Sequence, residues 1–141
     1  MKTFVVLTVS IVLVSILFCP MVMAGPTMPA NLQMVQPDPS LPKELEAFWG
    51  KWEGTGGLQF FIIVEKIDEE KASLYVWRGG TWAGAEGTPL GWSRYEAIVI
   101  KKYGKYNLWY YSPFGITEYT LEGKYLDTSS PGGSLRLSRV P

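Results

Sequence analysis

Histidine is absent from this chain, and its single cysteine, Cys19, lies in an apolar run near the N-terminus. Proton transfer and nucleophilic attack near neutral pH fall mostly to imidazole, thiolate, or a carboxylate or lysine in a tuned setting. The first two types are missing from residue 25 onward. No serine stands in a Gly-x-Ser-x-Gly elbow, and no His or Cys cluster has the spacing of a zinc site. Two carboxylates could hydrolyse a glycoside, with Glu96 and Glu118 as the nearest pair, but spacing does not single them out among ten glutamates. The residues therefore point to binding rather than catalysis, with no cofactor and no metal.

What the chain does carry is flat aromatic surface, including six tryptophans. Trp77, Trp82 and Trp92 fall within sixteen residues and bracket or occupy a glycine-rich stretch from Gly79 to Gly91. Long loops in small domains are often functional, so these indoles either contact a ligand or roof the core. Arg78, at the edge of that loop, suits the anionic or hydroxyl group of a ligand. Tyr106, Trp109, Tyr110 and Tyr111 share one strand and so populate both its faces. On the preceding strand Arg94 and Glu96 take the face opposite Tyr95, which is expected to be the solvated exterior. The leading expectation is a small apolar or amphipathic molecule held at a barrel mouth by Trp77, Trp82, Trp92, Tyr95 and Tyr110, and oriented by Arg78. The alternative is a surface module in which the same aromatics bind protein or polysaccharide.

The elements that must position these groups are short strands. Leu41, Leu45, Phe48 and Trp49 recur at helical spacing, with Pro42 in the first turn and Glu44 and Glu46 where the helix dipole favours negative charge. Gly50 ends that short helix. Beyond it the apolar period becomes two, and turn signals divide the chain into eight predicted strands: 51–54, 58–67, 72–78, 92–101, 106–111, 116–121, 124–127 and 134–140. All links but one are short, which favours sequential antiparallel pairing. The expected fold is all-β, an eight-stranded up-and-down barrel after a short helix. Strands shorter than the roughly 9–11 residues of a membrane barrel, with Glu65, Glu96 and Glu118 facing out, argue against membrane insertion as a barrel.

The N-terminus has the plan of an export signal: Lys2, an apolar run from Phe4 to Phe18, and small residues ending at Ala24. Residues 1–24 are read as a signal peptide, which places the rest in the periplasm or outside the cell with no stable membrane span. The bulky Phe18 before Cys19 argues against lipidation there. Residues 25–40 hold Pro26, Pro29, Pro37 and Pro39 without apolar periodicity and read as a disordered leader, leaving 41–141 as the barrel domain. Lysine and arginine balance aspartate and glutamate at 13 each. Without a basic stripe, nucleic acid is not an expected partner.

At Phe48-Trp49-Gly50-Lys51-Trp52 the sequence resembles the calycin superfamily of lipocalins, avidins and fatty-acid-binding proteins, whose first strand opens with Gly-x-Trp after a short helical turn. The resemblance spans residues 41–140 and implies a meander barrel with a ligand inside. It also implies that Gly50 and Trp52 meet a basic residue of the last strand, here Arg136 or Arg139, stacked across the indole to close the barrel floor. Such a contact is physically favourable, since a guanidinium gains from the indole face while its donors reach carbonyls. The chain is also similar to small secreted bacterial domains with Gly-x-Trp, the Val64 to Ile67 strand pattern and the Leu121 to Tyr125 stretch. No ligand follows from either likeness.

Overall fold

In the computed structural model, residues 25–55, 59–79, 91–112 and 115–141 are described. The expected signal segment and Trp82 lie outside them. The period-two alternation becomes β1 (Gly50–Gly54), β2 (Phe60–Ile67), β3 (Lys71–Arg78), β4 (Gly91–Lys102), β5 (Lys105–Ser112), β6 (Gly115–Glu122), β7 (Tyr125–Ser130) and β8 (Gly133–Val140). Each strand pairs antiparallel with the next, and β8 returns to β1, so the sheet closes into a barrel. Each of the eight described strands thus has a neighbour on both sides, with the β4–β5 ladder confined to Ile98–Lys102 and Lys105–Trp109.

Every strand sends alternate residues inward. Ile62 lies opposite Trp52 and Val76, Val64 opposite Leu74, Leu108 opposite Tyr119, and Leu126 opposite Leu137. None of these side chains is more than 2% exposed. At about 1.5–3 kcal/mol for each large apolar side chain taken from water, this interior stands in for the missing disulfides. One end of the cylinder is closed by the turn of helix α1 (Lys43–Glu46) and its flanks, with Leu41, Leu45 and Phe48 buried beneath the strands.

That floor is locked by Arg139. Its guanidinium sits 4.4 Å from the centroid of the Trp52 ring. Nη1 donates to the carbonyl of Trp49 at 2.8 Å, and Nη2 donates to the carbonyl of Ala47. The indole N–H of Trp52 donates in turn to the Phe48 carbonyl at 2.9 Å. These contacts satisfy carbonyls that a one-turn helix leaves orphaned. Gly50 is required here twice over: its φ is +122°, and a Cβ would lie 2.7 Å from Arg139 Nη1. Arg136 is a correction. The resemblance offered it for closure, but it stands an odd number of positions from Arg139 and faces outward, bound to both carboxylate oxygens of Asp127 at 2.7 and 2.6 Å.

Residues 25–40 also depart from the expected free leader. They are extended, as their prolines require, but lie against the outer wall of β2–β4. A bulge between Val64 and Lys66 leaves Glu65 without a ladder partner. Its freed carbonyl accepts from Val35 N at 2.9 Å and from the Trp49 indole at 3.2 Å. Its carboxylate accepts from Gln33 N at 2.8 Å and from Arg94 Nη2 at 2.8 Å. Under this strap the outward-facing Ile63 and Tyr75 are only 1% and 3% exposed. Composition hid the docking, because the binding partner is main chain and leaves no apolar periodicity.

Two expectations follow. Arg139→Met should lower unfolding free energy by about 2–3 kcal/mol, through two charge-assisted hydrogen bonds and a cation–π contact, whereas Arg136→Met, which removes a solvent-exposed pair, should leave stability nearly unchanged. Urea titration of both variants checks this; equal losses would contradict the assignment of closure to Arg139. Glu65→Ala should cost about 1 kcal/mol by removing the acceptor of the part-buried Gln33 N–H and the partner of Arg94. Limited proteolysis should then cut residues 25–40 sooner than in the parent, and an unchanged cleavage rate would mean that the strap does not depend on Glu65.

Candidate functional site

At the end opposite the helix, the inward positions of β2–β6 change character. Phe60 lies opposite Arg78, while Leu74 sits beside Tyr95 and Leu108 beside Tyr119. Arg78 Nη1 donates to the Tyr95 hydroxyl at 3.1 Å. Its guanidinium lies 5.8 Å from the Phe60 ring centroid and 5.7 Å from that of Tyr95. Tyr95 and Tyr110 meet with centroids 4.3 Å apart and planes tilted by 47°. Arg78, Tyr95 and Tyr110 are half-buried, in contrast to the sealed positions nearer the floor.

The electrostatics of this group follow from burial and from Arg78. Burial pushes the Tyr119 hydroxyl well above its ordinary value of 10.0; the charge of Arg78 pulls the other way, and Tyr95 and Tyr110 add to the rise. Tyr110 is raised for the same leading reason, again with Tyr95 adding to it and Arg78 opposing. The Tyr110 and Tyr119 phenols therefore remain protonated at neutral pH, as donors and acceptors beside one cation. Among the described residues, none of the ion pairs includes Arg78. The arrangement can hold an anionic or hydroxyl-bearing group against a guanidinium and phenols, with aromatic faces beside it.

Of the six residues expected to form one site, the five that are described are divided by the barrel wall. Arg78, Tyr95 and Tyr110 come together inside. Trp77 and Trp92 are cross-strand partners on the outside. There Trp77 packs edge-on to Phe61 at 5.6 Å and Trp92 edge-on to Tyr75 at 6.5 Å. The Trp92 indole donates to the Thr27 carbonyl at 2.7 Å, so the strap uses it. Parity explains the division: adjacent residues, and residues three apart, take opposite faces of a strand. Trp82 lies outside the described residues. Phe60 and Tyr119 were missed as neighbours of the site, although counting by two from Arg78 and Tyr110 across adjacent strands would have found them. Arg94 and Glu96 face outward as expected, Glu96 against Lys71 at 3.2 Å. Glu118 is also on the outer face, on β6, with β5 between it and Glu96.

No family model matches the chain, and no characterised protein or solved structure matches it either.

The raised phenols set a pH dependence. Above pH 10 the unfolded chain loses tyrosine protons that the folded barrel keeps, so stability is full below that value and falls as pH rises through it. Tyr119→Phe should flatten the decline between about pH 9 and about pH 11. Urea midpoints at the two pH values test this. A decline as steep in the variant as in the parent would remove Tyr119 as its source.

Proposed function

We propose that this chain is an exported calycin-type binding protein that takes a small amphipathic molecule at the mouth of its barrel. The observation that carries the reading is Arg78: an inward-facing guanidinium with no carboxylate partner among the described residues, hydrogen-bonded to Tyr95 and flanked by aromatic rings. A half-buried cation gains from a counter-charge held against it, and an anionic ligand end would supply one. Tyr95, Tyr110 and Phe60 supply apolar faces for the rest of the molecule. The contact of Arg139 with Trp52, above a close-approaching Gly50, lends support to the calycin reading.

The ligand on this view sits shallowly. Fully buried side chains such as Trp52 and Leu137 occupy the floor half, whereas Arg78, Tyr95 and Tyr110 nearer the rim are half-buried, which favours contact at the rim. A second reading, a surface module for protein or polysaccharide, draws on the outward Trp77 and Trp92. It requires residues 25–35 to leave the wall, because Thr27 and Asn31 already engage Trp92 and Tyr75.

Calorimetric titration with decanoate and with decanol separates charge from chain. Decanoate should bind, and Arg78→Gln should weaken it by about tenfold or more while leaving decanol unchanged, as loss of a charge-assisted hydrogen bond predicts. Absence of binding by both compounds to the folded protein would sink the reading.

A further inference from the structure

The outer wall of β5–β8 carries two cross-strand rows of opposite character. In one, Asn107, Thr120, Asp127 and Arg136 stand in register and are consumed by one another. Thr120 Oγ1 bonds Asn107 Oδ1 at 2.7 Å, and Arg136 holds both oxygens of Asp127 at 2.7 and 2.6 Å. The neighbouring row, two residues nearer the mouth, is Trp109, Glu118, Ser129 and Ser134. Among the described residues, no hydrogen bond or ion pair engages the Glu118 carboxylate or the hydroxyls of Ser129 and Ser134.

An open groove of about 300 Å³ runs along these rows, lined by Glu118, Ser129 and Ser134 on one side and Thr120, Asp127 and Arg136 on the other. We infer that this groove is a binding site for a neutral oligosaccharide. Three unengaged polar groups follow one another at the inter-strand spacing of about 4.8 Å, in a line that a chain of hydroxyl-bearing rings can track. Glu118 accepts hydroxyl protons in charge-assisted hydrogen bonds, and the serines both donate and accept.

Charge narrows the ligand class. Arg136 neutralises Asp127, so Glu118 leaves the groove with one net negative charge, which repels anionic ligands. At the end of the row, Trp109 has its indole N–H shut in without an acceptor. Lys102 Nζ lies 5.9 Å from its ring centroid and Tyr111 packs edge-on to it at 6.4 Å, so the ring surface left for the apolar face of a sugar is what these two do not cover. Nothing in this site depends on Arg78 or the barrel mouth.

Amide chemical shifts of the isotopically labelled protein, followed during titration with maltotetraose and with cellotetraose, test the inference. Saturable shifts at Glu118, Ser129 and Ser134 with at least one sugar are expected. Glu118→Gln, and separately Ser129→Ala with Ser134→Ala, should weaken binding by about tenfold, while Arg78→Gln leaves it unchanged. Shifts confined to other parts of the barrel, or none with either sugar up to about 10 mM, would overturn it. So would a larger response to spermidine than to both sugars, which would make the row a cation site.

Discussion

The barrel depends on one guanidinium. Arg139 belongs to the last strand, yet its contacts are with the first: the Trp52 ring, and the carbonyls of Ala47 and Trp49 that lead into it. A meander of hairpins could remain an open, twisted sheet, because each hairpin is satisfied by its own neighbour. Closing it demands a contact between chain segments about 90 residues apart, with the entropy of that long loop lost. Arg139 concentrates hydrogen bonding and ring contact at that junction, and Gly50 clears the space for it. Helix, floor and closure are thus a single arrangement.

From that floor the interior changes along the axis. Near α1 it is filled with branched and aromatic side chains, and toward the opposite rim the inward positions pass to Arg78 and the half-buried Tyr95 and Tyr110. Apolar packing and polar side chains thus occupy different halves of the same cylinder. The filled half fixes the strand register that holds Arg78 against Tyr95, a cation with no carboxylate partner among the described residues. Glu65 shows the same economy on the outside, where one unpaired bulge residue offers its main-chain carbonyl and its carboxylate to the strap.

Much of this was legible in the sequence, for reasons that can be named. Alternation of Phe60, Ile62 and Val64 against Gln59 and Glu65 reported the strand and its inner face, and short turns reported sequential pairing. Gly50 and Trp52 reported the floor, although choosing Arg139 over Arg136 needed the register, which the two residues' opposite parity on β8 settles. The site was half legible. Aromatic density drew Trp77 and Trp92 together with Arg78 and Tyr95, whereas the pleat sends them to opposite faces of the wall. Docking of residues 25–40 was invisible, because its hydrogen bonds run between main-chain groups and a bulge that no composition signal marks.

The strap also constrains the order in which the molecule can assemble. Thr27 is made early but meets Trp92, 65 positions later, and Gln33 meets Glu65, 32 positions later. The earliest part of the described chain therefore cannot find its place until β4 exists and β2–β4 have paired. Contacts of such long range slow folding in proportion to the loops they close. The outer aromatics of β2–β4 stay bare through most of that interval, which makes the nascent barrel most adhesive just before its own first residues cover it.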